Sequence, residues 1–254
     1  MPVVTLTTDL GLKDHYAGVL KGMILSACPG VSLMDISNQV DPFNIAQAAF
    51  LLENSYQAFP AGSLHLVCVD TDYQQEPLML WLHHQGHYFA GPDNGVFSLA
   101  FGGQEPAILR QLVREPGQTV FSLLAATAGR WNSGQGPEAF SRPLAGMKSS
   151  LSWQPQIEPD FIRGRIIYID RFQNCIVNVK RETLEGARSG RGVHIYFKRF
   201  DDIREIQAGY GEEGLGEKMA RYNEDGYLEI AMNKGNAAGL LGLQVNDIVQ
   251  IDFL

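Results

Sequence analysis

A chain of 254 residues, 45% hydrophobic and 19% charged, is long enough to bury one large or two modest cores. Its net charge of -8, with no basic run of five or more residues, argues against a nucleic-acid partner. No apolar stretch reaches the ~18 residues of a membrane span, and Met1-Pro2-Val3 enters a strand without a basic or apolar leader, so a cytoplasmic protein is expected.

Val4-Thr5-Leu6-Thr7-Thr8 reads as a buried strand that ends in Asp9, a turn at Gly11 and a second carboxylate, Asp14. In open α/β sheets ligands are held at the carboxyl ends of strands, which is where Asp9 falls. Residues 14–25 carry apolar side chains at helical spacing and stop before Pro29-Gly30. A second strand follows over Val31–Ile36. Asp41 as N-cap and Pro42 at the first helical position predict a helix that continues through Ile45–Tyr56. Ser63–Val69 is another strand ending in a carboxylate, Asp70. Residues 79–82 and 87–90 predict a hairpin, and Val120–Trp131 a helix.

From Ser141 to Asp160 the chain is rich in Pro, Ser and Gly and reads as a linker. Beyond it lie short strands at 164–170, 175–179, 194–197, 228–232 and 247–253, separated by Gly, Asn and Asp, as in a small barrel or sandwich. The expected fold is an α/β N-terminal domain with a central, mostly parallel sheet (1–145), a linker (146–160) and a smaller all-β, barrel-like C-terminal domain (161–254). Cys28, Cys68 and Cys175 are odd in number, widely spaced and in apolar settings, so they read as packing residues. His83, His84 and His87 fall in the hairpin, where helical ligand spacing has no meaning, and Asp9 with Asp14 is too small a donor set. No metal is expected.

Four segments in order, Thr7-Thr8-Asp9-Leu10-Gly11, Pro92-Asp93-Asn94-Gly95, Asp170-Arg171-Phe172-Gln173-Asn174 and Asn233-Lys234-Gly235-Asn236-Ala237-Ala238, resemble the S-adenosylmethionine hydrolase / fluorinase / chlorinase family. The resemblance implies a two-domain fold and a homotrimer, with each ligand held between one subunit's N-terminal domain and a neighbour's C-terminal domain. It implies no cofactor beyond S-adenosylmethionine as substrate or ligand. It gives Asp9 to the ribose hydroxyls, which a carboxylate can accept. Asp170 would take the methionine ammonium and the Asn174 amide its carboxylate, and the loop with Asn233, Asn236 and Ala238 would take the adenine. Asp93 and Asn94 would shape the site, Tyr210 could stack on the base, and Asp14 has two readings, helix cap or ligand contact. Gln173 stands where the family has glycine.

Departure of a sulfonium as a neutral thioether needs no general acid, only a positioned nucleophile. The family's water-using members employ an Asp-Arg-His set. Asp70 matches the Asp, but no arginine precedes Arg110 and no histidine lies between His87 and His194. Three explanations compete. Asp70 acts as base, with Asp72, Tyr73 or Ser122 standing in for the rest; or the site binds without cleaving; or the nucleophile is a halide. Against the last, a carboxylate repels a halide by roughly 4 kcal/mol at 4 Å when the effective dielectric is near 20. The leading expectation is hydrolysis to adenosine and methionine, and the alternative is a silent adenosine or S-adenosylmethionine binding module.

Overall fold

The structure is a computed structural model that describes residues 2–71, 77–150, 154–198 and 201–254. The chain divides into two compact units, Met1–Ser152 and Trp153–Leu254.

The first unit is built on strands β1 (Val3–Thr8), β2 (Ser32–Ser37), β3 (Leu64–Cys68), β4 (Met79–His84), β5 (His87–Pro92), β6 (Ile108–Leu112) and β7 (Ser141–Pro143) in the order β2-β1-β3-β5-β4-β6-β7. Alternation of side chains splits them between two cores. Val4, Leu6, Leu66 and Trp81 pack with Leu20 and Ile24 of α1 (Tyr16–Ala27) and Leu123 and Leu124 of α4 (Val120–Asn132). Val67, Leu80, Leu82 and Phe89 pack with Leu52 of α2 (Ile45–Glu53) and Phe97 of α3 (Val96–Ala100). Each fully buried Leu, Ile or Phe contributes roughly 1.5–3 kcal/mol. Gly129 lets α4 approach α1, because a Cβ there would lie 2.8 Å from the Ala27 carbonyl oxygen.

The expected mostly parallel sheet is instead mixed. β1 pairs in parallel with β2 and β3, and β3 with β5, whereas β4–β5, β4–β6 and β6–β7 are antiparallel. The cause is the tight turn at Gln85-Gly86, both at positive φ, which returns the chain beside itself where a crossover helix would have kept it parallel. α2 also starts later than Asp41-Pro42 predicts: Phe43 takes a left-handed φ of 66°, and Asn44 is the N-cap, its side chain accepting the Gln47 N–H. Asp14 does not cap α1, whose N-cap is His15 without a side-chain bond.

The second unit is a nine-stranded, nearly closed, barrel-like sheet made of β8 (Gln156–Ile157), β9 (Phe161–Ile169), β10 (Cys175–Lys180), β11 (Val193–Lys198), β12 (Asp201–Ile203), β13 (Ile206–Gln207), β14 (Lys218–Tyr222), β15 (Tyr227–Met232) and β16 (Ile248–Phe253). Its pairings are antiparallel except β13–β14. Ile166, Val177, Ile195, Leu228, Ile230 and Ile251 fill the interior. Two helices, α5 (Arg181–Arg188) and α6 (Ala237–Leu241), pack against β10 and β15 respectively. The stretch read as linker supplies two short strands: β7 pairs with β6, and β8 with β9. Cys28, Cys68 and Cys175 are all buried and form no disulfide among the described residues.

Candidate functional site

In the first unit, β1 and β3 run side by side and finish level, Thr8 opposite Cys68. Asp9 and Asp70 follow. Asp9 Oδ2 accepts the backbone N–H of Phe43 at 3.0 Å and that of Asp70 at 3.1 Å. Both donors lie at positive φ, 66° for Phe43 and 47° for Asp70. Such a conformation costs an L-residue roughly 1–2 kcal/mol, so this carboxylate holds two strained turns in place. Among the described residues, neither Asp9 Oδ1 nor the half-buried Asp70 carboxylate takes a hydrogen bond, which leaves acceptor oxygens of both at the strand ends.

Buried Asn94 serves the backbone. Its Nδ2 donates to the Val69 carbonyl at 3.0 Å and the Asp70 carbonyl at 3.3 Å, and its Oδ1 accepts from the Val96 N–H at 3.2 Å. It positions Asp70 from below. Gly95, at φ 101°, has no room for a side chain because Ser150 Oγ lies 2.0 Å from where a Cβ would be. Asp93 Oδ1 accepts the Lys148 N–H at 2.7 Å; burial raises its pKa and Lys148 opposes the rise. Asp14 is exposed. The Ser122 hydroxyl is engaged at the start of α4 with Thr119, donating to its carbonyl at 3.0 Å. Asp72 and Tyr73 lie outside the described residues.

In the second unit, β9 and β10 are joined by a turn in which Asp170 Oδ1 accepts the Asn174 N–H at 2.8 Å and Oδ2 accepts Asn174 Nδ2 at 3.0 Å. Gln173 adopts φ 69°, so the turn forms without the glycine. The same Nδ2 donates to Tyr210 Oη at 3.0 Å, and Tyr210 donates to Glu229 Oε1 at 2.6 Å. Arg221 lies 3.7 Å from Glu229 and covers one face of the Tyr210 ring at 4.7 Å. Burial raises the Glu229 pKa, against the lowering pull of Tyr210 and Arg221. Beside it, burial and then the nearby carboxylates push the Cys175 thiol up to about 12.

The Asn233–Ala238 loop is tied to this turn, because the Ala238 N–H donates to the Gln173 carbonyl at 3.0 Å. Asn233 Nδ2 donates to the Glu213 carbonyl at 2.8 Å, and Asn236 Oδ1 caps α6 by accepting from Gly239 at 2.6 Å. Ala238 is buried in the barrel core.

The predicted residues therefore form two sets, one in each unit: Asp9, Asp70 and Asn94, and Asp170, Asn174, Tyr210 and the 233–238 loop. Asp14 joins neither, being exposed ahead of α1. Two participants went unread. Phe43 binds Asp9 through its backbone and leaves its ring 73% exposed. Glu229 is 3% exposed, and its sign was a charged residue inside the apolar run Tyr227-Leu228-Glu229-Ile230-Ala231.

A protein from Thermus thermophilus named (R)-S-adenosyl-L-methionine hydrolase is 27% identical over 266 residues, covering 96% of this chain and 97% of the relative. One of the same name from Methanocaldococcus jannaschii is 26% identical over 99% of this chain and 96% of its own. A fluorinase from Nocardia brasiliensis is 22% identical, with 98% of this chain and 96% of its own covered. The crystal structure of an uncharacterized conserved protein from Thermotoga maritima superposes with a TM-score of 0.88 at 25% identity, over 98% of this chain and 99% of that one. Residues 4–140 match the SAM hydroxide adenosyltransferase N-terminal domain and residues 164–250 the C-terminal domain of the same name. With both domains matched over most of its length, the chain belongs to the SAM hydroxide adenosyltransferase family.

Proposed function

We propose that this chain hydrolyses S-adenosylmethionine to adenosine and methionine. Water attacks the ribose C5′ in line with the departing sulfur, the C5′–S bond breaks, and its electron pair neutralises the sulfonium as a thioether. Asp70 orients the water and receives its proton; such help is worth about 10²–10⁴-fold. Asp9 takes the ribose hydroxyls through Oδ1. The second unit's turn at Asp170 and Asn174 takes the amino-acid arm, and the 233–238 loop the adenine. The observation that carries this reading is the pairing at the ends of β1 and β3, where Asp9 fixes the Asp70 backbone while a carboxylate oxygen of each takes no hydrogen bond from the described residues. The reading includes a homotrimer, which light scattering on the purified protein counts directly.

Overnight incubation with S-adenosylmethionine, with products separated by chromatography and Asp70→Asn alongside, tests it. Adenosine and methionine should form above background only with the unmutated chain. Intact ligand in both samples removes the hydrolase reading.

One observation favours a second reading, a non-catalytic binding module. Ser122, a candidate partner for Asp70, has its hydroxyl engaged in the cap of α4. This reading expects tight binding, intact ligand after long incubation, and loss of binding in Asp9→Ala.

A further inference from the structure

The outer face of the barrel carries a constellation that the candidate site does not use. Val193, Ile195 and Phe197 of β11 fill the interior, so alternation along the strand leaves His194 and Tyr196 together on the outside. β12 runs antiparallel to β11 and brings Asp202 opposite Tyr196. Tyr196 Oη lies 2.5 Å from His194 Nδ1, His194 Nε2 contacts Asp202 Oδ2, and Arg204 Nε donates to that same oxygen at 3.2 Å.

The direction of each bond follows from the groups themselves. The bonds from His194 and Arg204 hold the Asp202 carboxyl below the usual carboxylate range, so at neutral pH it can only accept. His194 Nε2 therefore carries the ring proton, and Nδ1 of the neutral ring is an acceptor. Tyr196 donates its O–H to that nitrogen. A hydroxyl resting on a base, with the base oriented by a third group, is the arrangement of an activated nucleophile. Tyr196 is 37% exposed and reachable, whereas the His194 side chain is 14% exposed.

We propose that Tyr196 is a nucleophilic tyrosine, a covalent acceptor site for an activated acyl group, with His194 as its base and Asp202 as the positioning residue that fixes the base's tautomer. An uncharged donor suits the surroundings. Asp252 stands opposite His194 on β16, and Gln250, opposite Tyr196, accepts from Arg163 at 2.9 Å. Two carboxylates and two guanidinium groups thus offset each other, without the cationic excess that would gather a phosphoryl donor. With N-acetylimidazole as the donor, Tyr196 Oη attacks the acetyl carbon and its proton passes to His194 Nδ1. The bond from carbon to imidazole breaks, and the departing imidazole takes up that proton.

Tyr16 supplies an internal reference in the first unit. It is more exposed, at 49%, and its hydroxyl makes no hydrogen bond among the described residues. The full chain is treated with N-acetylimidazole at neutral pH, and acetylation of each tyrosine is followed by mass spectrometry of tryptic fragments. If exposure alone decided, Tyr16 would react first. Tyr196 should instead react at least about tenfold faster, a modest share of what a positioned base supplies. His194→Phe should remove that advantage. Asp202→Asn should lower it, and Asp202→Glu, which keeps a carboxylate, should recover most of it. Cys175, enclosed in the same barrel, shows by its protection from alkylation that each variant is folded.

A Tyr196 advantage below tenfold in the unmutated chain overturns the proposal, and so does an advantage that survives His194→Phe in a folded barrel. Equal ratios in Asp202→Asn and Asp202→Glu overturn it as well. Should the variants not fold, the unmutated ratio decides alone. None of these residues belongs to the two sets proposed to hold S-adenosylmethionine, so a chain inert towards that ligand leaves this inference standing.

Discussion

Asp9 holds Asp70 by its backbone: the Asp70 N–H donates to Asp9 Oδ2 at 3.1 Å, although 61 residues separate the two in sequence. One carboxylate thus sets the position of the next. Because Oδ2 also takes the Phe43 N–H, a single side chain organises three loop ends.

Asp9→Ala should therefore affect both stability and binding. Two hydrogen bonds to a charged acceptor disappear, each of a class worth about 1.5–3 kcal/mol where buried, less here because one is exposed. The melting temperature should fall by a few degrees. Calorimetry should show adenosine affinity lost, whereas Asp9→Asn, which keeps an oxygen for both N–H groups, should melt close to the parent. Adenosine binding as tight in Asp9→Ala as in the parent would remove Asp9 from the site.

Gln173 pays a conformational cost at φ 69° that glycine would not. Left-handed backbone costs an L-residue roughly 1–2 kcal/mol, and glycine gives back roughly 0.5–1 through its freer unfolded chain. Gln173→Gly should leave a net gain of about 0.8 kcal/mol, the middle of a range of roughly 0–1.5. A melting temperature unchanged or lowered would contradict this.

Gly129→Ala sets helix propensity against space. Alanine favours the helix by about 1 kcal/mol over glycine. Its Cβ would meet backbone, the Ala27 carbonyl oxygen at 2.8 Å, and overpacking of this kind costs typically 1–3 kcal/mol. The clash should win. Denaturant titration should show the midpoint shifted down, and an upward shift would mean that α1 and α4 separate easily.

Acid should destabilise the first unit through His65. This fully buried ring contacts Thr5 Oγ1 at 2.7 Å and His87 Nδ1 at 3.1 Å. Burial, then the charge of His87, lowers its pKa to about 3; burial also lowers those of His84 and His87. The folded chain keeps His65 neutral while the unfolded chain protonates it near 6.5. Its contribution is present above pH 6.5 and shrinks by roughly 1.4 kcal/mol per pH unit as pH falls towards 3. Melting temperatures should hold level from pH 8 to about 6.5 and fall from there to pH 5, and His65→Gln should flatten that fall even if it lowers stability at pH 8. An equal slope in both proteins would exclude His65 as a source.

The strand that ends at Asp9 was legible because burial and β-branched residues both pointed to it. So was the hairpin at 79–90, whose return makes β4 antiparallel to β5. What escaped was decided over long range. Phe43 matters through a backbone N–H and a positive φ, and nothing in an Asp-Pro-Phe-Asn string shows where that N–H points. β12 and β13, three and two residues long, are too short for an apolar period to show. The segments around Asp170 and Asn233 could be read as a site, but not that one backbone bond ties them together. Asn174 shows the deeper limit: residue type alone says that an amide can donate or accept, and its partners Asp170 and Tyr210 show that its nitrogen donates.

Cys68 ends β3 just before the Asp70 turn, and Cys175 follows Asn174; both are buried. At about 12, the Cys175 thiol is almost wholly protonated at neutral pH, and a protonated, enclosed sulfur does not react with alkylating reagents. Labelling must await a transient opening of the surrounding strands. Each unit thus carries its own native clock, read by mass spectrometry of the tryptic fragments without any engineered probe. A ligand that fastens one turn slows the clock beside it, so the two cysteines time separately how each half of the molecule breathes.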